Sequence, residues 1–255
     1  MIQVFTAPWL HLPFDLAAWA SGAGLSVILY RWRLKATASR LAASVGGGYF
    51  AALAVGAAGG AWAAGSLNSL RQTVPSLSHS VAGALVGAIV AVELYKAARG
   101  IKGSTGGLFV GSFSLGVVIG RFGCFFAGIA DDTYGTPTAL PWGVDLGDGV
   151  PRHPVQLYES ASMAVFLALY LMGLKTRAPW AMRRGFYAMC AWYGAQRFLW
   201  EFLKPYPSVV GPLNLFHILC GGLVIYGCAF YLADLGRERA EERALSLPRP
   251  DHQPV

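Results

Sequence analysis

Residues 107–128 read GLFVGSFSLGVVIGRFGCFFAG, and the only charged residue in the run is Arg121. A hydrocarbon layer about 30 Å thick needs roughly 20 consecutive apolar residues to be crossed by a helix. A strand of a lipid-facing barrel would alternate in polarity and be about half as long. This stretch therefore predicts a membrane-spanning helix. Outward from it, similar apolar blocks lie near 14–30, 41–65, 78–99, 158–174, 185–203 and 211–233. The expected fold is an all-α polytopic membrane protein of seven transmembrane helices, with an external loop between the fourth and fifth. Composition agrees: 55% of the 255 residues are hydrophobic and 13% are charged, where soluble domains carry about 25%.

The formal net charge is +7. Such an excess can mark a nucleic-acid binder, but the positions point elsewhere. Fifteen of the 20 Lys and Arg fall in alternate connections and the tail. These are Arg31, Arg33, Lys35 and Arg40; Lys96, Arg99 and Lys102; Lys175, Arg177, Arg183 and Arg184; and Arg237, Arg239, Arg243 and Arg249. The other connections hold only Arg71, Arg152 and Lys204. Cytoplasmic loops carry the Lys/Arg excess. The N-terminus is therefore expected outside and the C-terminus in the cytoplasm, which seven spans require. The partner implied is the lipid bilayer, with no nucleic acid. The first block has no basic residue before it and Arg31 and Arg33 after it, so it reads as an uncleaved span. Cys124, Cys190, Cys220 and Cys228 all fall in apolar blocks without a CxxC pair and read as buried free thiols.

One membrane domain is expected over 1–236, followed by a charged, proline-rich tail over 237–255. Glycines crowd the second block (Gly46, Gly47, Gly48, Gly56, Gly59, Gly60) and recur in the third (Gly83, Gly87). Small residues at such spacing let helices approach closely in lipid. Residues 129–157 hold Asp131, Asp132, Asp145 and Asp148 with Pro137, Pro141, Pro151 and Pro154. The segment is too polar to span and is expected to fold as a compact loop over the outer end of the bundle.

Three clusters could carry chemistry. Arg121, between Gly120 and the pair Gly123-Cys124, lies near the outer end of its block. It could snorkel to the surface or face a cavity and bind an anion; ionisable residues inside membranes favour the second reading. Tyr193, Arg197 and Glu201 are spaced by four and so share a helical face. There Glu201 could neutralise Arg197 or orient its guanidinium toward a phosphate. Arg152-His153-Pro154-Val155-Gln156-Leu157-Tyr158-Glu159 opens the fifth block, and His153 could titrate near neutral pH. All three belong to the outer side and suggest phosphate chemistry on a lipid headgroup. There is no HExxH, P-loop or GxSxG; no metal site and no cofactor are expected.

At these residues the chain resembles the prolipoprotein diacylglyceryl transferase family. The family's GRxGNFxNGE segment looks like Gly120 to Gly128, with its Arg at Arg121. Its loop Gly and following Pro-Thr look like Gly135-Thr136-Pro137-Thr138. Its RHPSQLYE matches Arg152 to Glu159 with one change, at Val155, and its Tyr-x3-Arg-x3-Glu matches Tyr193, Arg197 and Glu201. The resemblance implies a seven-helix enzyme of the bacterial cytoplasmic membrane. Such an enzyme moves diacylglyceryl from phosphatidylglycerol to the lipobox cysteine thiol of a prolipoprotein and releases glycerol phosphate. It implies catalytic roles for Arg121, Arg197, Glu201, Tyr193 and His153, and lipid or phosphate contacts from Arg121, Arg197, Gly135, Gln156 and Tyr158. His153 would serve as base for the thiol.

The chain departs from the family at several points. Cys124 and Ala127 stand where the family has asparagines, and Gly128-Ile129 replaces its Gly-Glu. The His-Gly-Gly of the third block appears as Ala82-Gly83-Ala84, with His79 three residues away. The expectation is a retained phosphate half and an altered thiol half, which leaves open another acceptor. Cys124 reads either as gap filling between glycines or as a thiol activated by Arg121. A lipid or solute transporter is the non-enzymatic rival, but its mark would be an inverted repeat, and the sequence has none.

Overall fold

The computed structural model describes residues 2–70 and 77–246. Arg71 and the proline-rich end of the tail, with Arg249, lie outside the described residues. The apolar blocks form helices α1 (His11–Leu29), α3 (Gly47–Ser69), α4 (Val81–Arg99), α5 (Val110–Ala127), α6 (Val155–Lys175), α8 (Gly185–Glu201) and α9 (Leu215–Ser246). A π-helical turn, Tyr30–Leu34, runs α1 into α2 (Lys35–Ser44), so residues 41–44 close a basic helix and do not begin the second span as expected. The break falls at Val45 and Gly46, both in extended backbone. A single turn, α7 (Pro179–Arg183), precedes α8.

Six of these helical stretches are long and apolar enough to cross a bilayer: Pro8–Ser44, Gly47–Ser69, Val81–Arg99, Val110–Asp131, Val155–Lys175 and Leu215–Ala244. The remaining expected block, near 185–203, gives α8, which has 17 residues. At a rise of about 1.5 Å per residue it is about 25 Å long. It is also the helix that buries the most chemistry: Tyr187, Cys190, Tyr193, Gln196, Arg197 and Glu201 are all inside. Interior polar residues lower its hydropathy, because α6 and α9 shield it where lipid would otherwise touch.

Helix α3 packs on α4, α8 on α9, and α5 on both α1 and α6. The α3–α4 contact is backbone to backbone. A Cβ on Gly60 would sit 2.3 Å from the Gly83 carbonyl oxygen, and one on Gly87 would sit 2.2 Å from that of Gly56. These four glycines are what permits the crossing, as their spacing suggests. The principal core lies across α6, α8 and α9, with Met163, Tyr170, Met189, Cys190, Tyr193 and Cys220 fully buried.

Residues 129–157 are compact, as expected. Strands β1 (Ile2–Gln3), β2 (Val144–Asp145) and β3 (Pro151–Arg152) form a small sheet, β1 parallel and β3 antiparallel to β2. Asp145 Oδ1 accepts from the amides of Gly147, Asp148 and Gly149 at 2.9, 3.1 and 2.9 Å, which closes the β2–β3 turn. Gly147 and Gly149 supply its positive φ angles, 109° and 75°. The loop is tied to the end of α8: the Thr136 amide donates to the Leu203 carbonyl at 2.7 Å. The Tyr206 hydroxyl donates to the Asp132 carbonyl at 2.6 Å. Burial pushes the Tyr206 phenol well above its ordinary pKa, so it stays a donor. A second hairpin, β4 (Ser208–Val210) with β5 (Leu213–Asn214), leads into α9. There Asn214 Oδ1 accepts from the His217 amide and His217 Nδ1 accepts from the Asn214 amide, both at 3.1 Å, a reciprocal cap.

Candidate active site

One end of the bundle gathers the N-termini of α1, α4, α6 and α9 and the C-termini of α3, α5 and α8. Here Glu159, on the first turns of α6, is fully buried and binds three cations. Its Oε2 meets Arg121 Nε at 2.7 Å and Arg197 Nη1 at 2.9 Å, and its Oε1 meets Lys204 Nζ at 2.6 Å. Glu201 adds a second carboxylate, 3.3 Å from Arg197 Nε and 3.6 Å from Lys204 Nζ. Asn214 Nδ2 donates to Glu201 at 3.3 Å. Three buried cations against two carboxylates leave one positive charge in excess, held without flexibility in a poorly solvated place. Such a charge suits an anion better than a mobile surface arginine does.

Both arginines line a cavity of 360 Å³, together with His11, Asp15, His79, Cys124, Asp131 and Phe216 among others. A second cavity of 470 Å³, lined mostly by apolar residues of α1, α3, α4 and α5, runs toward the other end. The two share Ala18, Trp19, Val81, Phe113 and Gly116 on their walls. The polar and apolar spaces thus adjoin. Trp19 and Val81, on the facing edges of α1 and α4, are 78% and 45% exposed.

The expected site residues divide. Arg121, Arg197 and Glu201 come together in the buried cluster. Tyr193 is fully buried beside it, with its ring edge-on to Phe113 at 5.1 Å and its hydroxyl without a hydrogen-bond partner among the described residues. Gln156 is also fully buried, and neither of its polar side-chain atoms has such a partner. Gly135 packs on the loop: a Cβ there would lie 2.2 Å from the His153 carbonyl oxygen. Of the expected site residues only Arg121 and Arg197 line a cavity; Tyr193, Glu201, Gly135, Gln156, His153 and Tyr158 line neither. The Tyr158 hydroxyl accepts from Trp142 Nε1 at 2.8 Å and lies 3.5 Å from His153 Nδ1. His153 thus sits in an aromatic corner of the loop, apart from the arginines.

Two participants were not singled out in the sequence. Glu159 was visible only as the last letter of a motif, and Lys204 only as a loop cation; its position three residues after Glu201 was the available signal. The third omission is His11. Its Nδ1 lies 2.8 Å from Asp15 Oδ2, its Nε2 3.0 Å from Asp131 Oδ1 and 3.7 Å from Cys124 Sγ. Arg121 Nη1 donates to the same sulfur at 3.6 Å. His79, the nearest histidine to the altered third block, lines the cavity rim and tilts against Trp62 at 6.0 Å between ring centres.

The sequence model of prolipoprotein diacylglyceryl transferases matches residues 18–233, most of the chain. The chain belongs to that family. Among similar curated proteins is a phosphatidylglycerol–prolipoprotein diacylglyceryl transferase of Cupriavidus metallidurans, 40% identical over 39% of this chain and 37% of that protein. One of Methylococcus capsulatus is 31% identical over 62% of each chain, and one of Geobacter sulfurreducens is 34% identical over 44% of each. The matches thus span from 37% to 62% of those relatives' own length. No solved structure matches. The family's arginine and carboxylate motifs in this chain converge on one buried cluster. Of the segments that depart from the family, Cys124 lines the polar cavity, and Ala84 of Ala82-Gly83-Ala84 lines the apolar one.

Proposed function

We propose that the chain transfers diacylglyceryl from phosphatidylglycerol to the lipobox cysteine thiol of a prolipoprotein, releasing glycerol phosphate. The observation that carries this reading is a pair of adjoining cavities: a polar one lined by Arg121 and Arg197, which Glu159 anchors, and a larger apolar one beside it, with Trp19 and Val81 on the walls of both. A phospholipid is a charged headgroup on two acyl chains, and this shape provides for both. The phosphate would sit against Arg121 and Arg197, with the acyl chains in the apolar cavity. Glu159 and Glu201 hold the guanidinium groups in place, and the Tyr193 hydroxyl is available to donate to a phosphate oxygen. Gln156, equally unpartnered among the described residues but walled off from the cavity, would act from behind the arginines, and Gly135 and Tyr158 shape the loop beside it. In the reaction the sulfur lone pair of the acceptor forms a bond to the glyceryl carbon, and the bond from that carbon to the phosphate oxygen breaks. The electron pair leaves with glycerol phosphate, where fixed cations stabilise the developing charge, and the thiol proton passes to solvent or to the departing phosphate oxygen. His153 lies outside the cavity, and the proposal gives it no part in taking the thiol proton.

The same reading places the chain in a bacterial cytoplasmic membrane with seven spans, α8 being the short one. The site would face outward and the tail would be cytoplasmic. The alternation of Lys and Arg supports this, since all three elements of the site fall at the lysine- and arginine-poor end. Reporter fusions after Arg99 and after Arg184 should report cytoplasm and a fusion near Asp148 the exterior; the reverse would put the site on the wrong side. The function itself is tested with the purified chain, phosphatidylglycerol and a lipobox peptide. The expected product is a peptide heavier by one diacylglyceryl group, found by mass spectrometry. Absence of that product from protein that is monodisperse and binds phosphatidylglycerol would refute this acceptor and favour the departures at Cys124 and Ala82 as marks of another one.

A further inference from the structure

His11, Cys124 and Asp131 offer one nitrogen, one sulfur and one oxygen that all lie within 4.8 Å of one another. The separations are 3.0 Å from His11 Nε2 to Asp131 Oδ1 and 3.7 Å from His11 Nε2 to Cys124 Sγ. A tetrahedral zinc ion with bonds of about 2.0 Å to nitrogen and oxygen and about 2.3 Å to sulfur requires ligand atoms about 3.3 to 3.6 Å apart. The two separations from His11 bracket that range, and the third lies within 4.8 Å, so small side-chain shifts would bring all three onto one ion.

Each of the three is also oriented from behind. Asp15 holds His11 Nδ1 at 2.8 Å, which fixes the ring, so that an ion would displace to solvent the proton that Nε2 shares with Asp131; a carboxylate behind a ligating histidine is the usual arrangement at metal sites. The Thr133 hydroxyl donates to Asp131 Oδ2, which turns Oδ1 toward His11. Arg121, itself anchored on Glu159, donates to the Cys124 sulfur. Charge is balanced as well. A thiolate and a carboxylate cancel a divalent cation, and Asp15 adds a further negative charge, so Arg121 would face no net cation.

We propose that these three residues form a divalent metal site, with zinc the ion suited to a mixed nitrogen, sulfur and oxygen set. All three line the 360 Å³ cavity that also holds Arg121 and Arg197. Three protein ligands facing an open cavity leave a fourth position for an exogenous ligand, as in catalytic zinc sites. That ligand would be the acceptor thiol. On coordination it gives its proton to solvent and stays as a thiolate, beside the pocket proposed for the phosphate. Only the identity of this fourth ligand rests on the transferase reading; the metal site stands on its three residues alone.

The test uses the full-length protein in detergent with the metal alone, so it does not depend on turnover. Purified protein equilibrated with zinc and desalted should retain about one ion per chain by elemental analysis. Cobalt substituted for zinc should give a sulfur-to-cobalt charge-transfer band in the near ultraviolet, and that band should vanish in Cys124→Ser. His11→Ala and Asp131→Asn should each lose the ion under the same conditions. Asp15→Asn should weaken zinc affinity about 10- to 100-fold without abolishing it, the usual cost of an outer-shell partner. Monodisperse wild-type protein that retains no ion, or a cobalt spectrum unchanged in Cys124→Ser, overturns the proposal. Should Cys124→Ser not stay monodisperse, the wild type decides: a cobalt complex without the charge-transfer band excludes the sulfur. Zinc binding without lipid transfer would remove the transferase reading and leave the site. Transfer unaffected by stripping the metal would remove the acceptor thiol as fourth ligand and leave the site.

Discussion

Two polar groups share the cavity at one end of the bundle, and they are built in opposite ways. The Glu159 group is closed: Glu159, Arg197, Glu201 and Lys204 are at most 5% exposed, and their charged atoms are spent largely on one another. The His11 group is open: its histidine and Asp15 side chains are 28% and 41% exposed, and its three ligand atoms face the cavity. Arg121 joins them, with Nε on Glu159 and Nη1 on Cys124. A closed group keeps a fixed charge where a charged leaving group would need it. An open group can exchange partners. The difference suggests a division of labour in which one group meets the lipid phosphate and the other meets whatever arrives from outside.

Breaking the closed group should have the largest effect. Glu159→Ala leaves three buried cations with only Glu201 between them. Loss of one partner from a buried ion pair costs about 3–5 kcal/mol. We expect this variant to fail to accumulate, or to lose much of its thermal stability in detergent. Glu159→Gln keeps the volume and one acceptor and should fall between it and the parent. A Glu159→Ala protein as stable as the parent would mean that the cluster is not what holds α5, α6 and α8 together.

The arginines come next, and there the effect should be on activity more than on folding. Arg121→Ala and Arg197→Ala each leave Glu159 with two cationic partners. Loss of one fixed donor to developing charge costs about 10²–10³ in turnover. Arg→Lys should rescue poorly at either position, because a point charge cannot hold Glu159 and a phosphate at once. Near-normal turnover in the alanine variants of well-folded protein would reduce both arginines to structural members of the closed group.

The two groups also differed in how far the sequence revealed them. Arg121, Arg197 and Glu201 were legible because charges inside apolar blocks are costly and because spacing by four puts residues on one helical face. The six long apolar stretches were legible for the same reason, through length and continuity. Helix α8 was legible as a block, but its shortness was not, because the polar residues that shorten its apolar run are paid for by partners on α6. Glu159 as a hub could not be read, since its partners come from α5, α8 and the segment after α8. The His11 group was the least legible. His11 and Cys124 are 113 residues apart, and no local spacing signals that the α1–α5 packing brings them together. His153 is the opposite case. A suitable residue type in a specific motif suggested a base, while the loop's fold turns it toward Tyr158 and away from the cavity.

That last point yields a smaller effect. His153→Ala should change turnover by only a fewfold, through the packing of Tyr158 and Trp142, and should not alter the pH dependence of transfer. A loss comparable to that of the arginine variants would restore His153 to the reaction and show that the loop moves when substrate binds.

The smallest effect belongs to the loop that carries His153, where a surface ion pair contrasts with the buried ones. Arg152 Nε and Nη2 both donate to Asp148 Oδ2, at 2.9 and 2.6 Å. The Arg152 guanidinium holds the Asp148 carboxyl below its ordinary pKa. A carboxylate whose pKa is lowered on folding contributes its stability above the unfolded value, about 3.9, and loses it as pH falls through the folded value. Local protection of residues 144–152 against hydrogen exchange should therefore be flat from neutral pH down to about pH 5 and fall only in stronger acid. Asp148→Asn should cost at most about 1 kcal/mol at neutral pH, the range for pairs near solvent, and nothing below the folded pKa. Added salt should shrink the difference, because exposed charges are screened. Glu159→Gln should show the opposite signature, a large loss that salt does not touch. Equal salt sensitivity in the two variants would erase the contrast between an ion pair that decorates the loop and a cluster that organises the site.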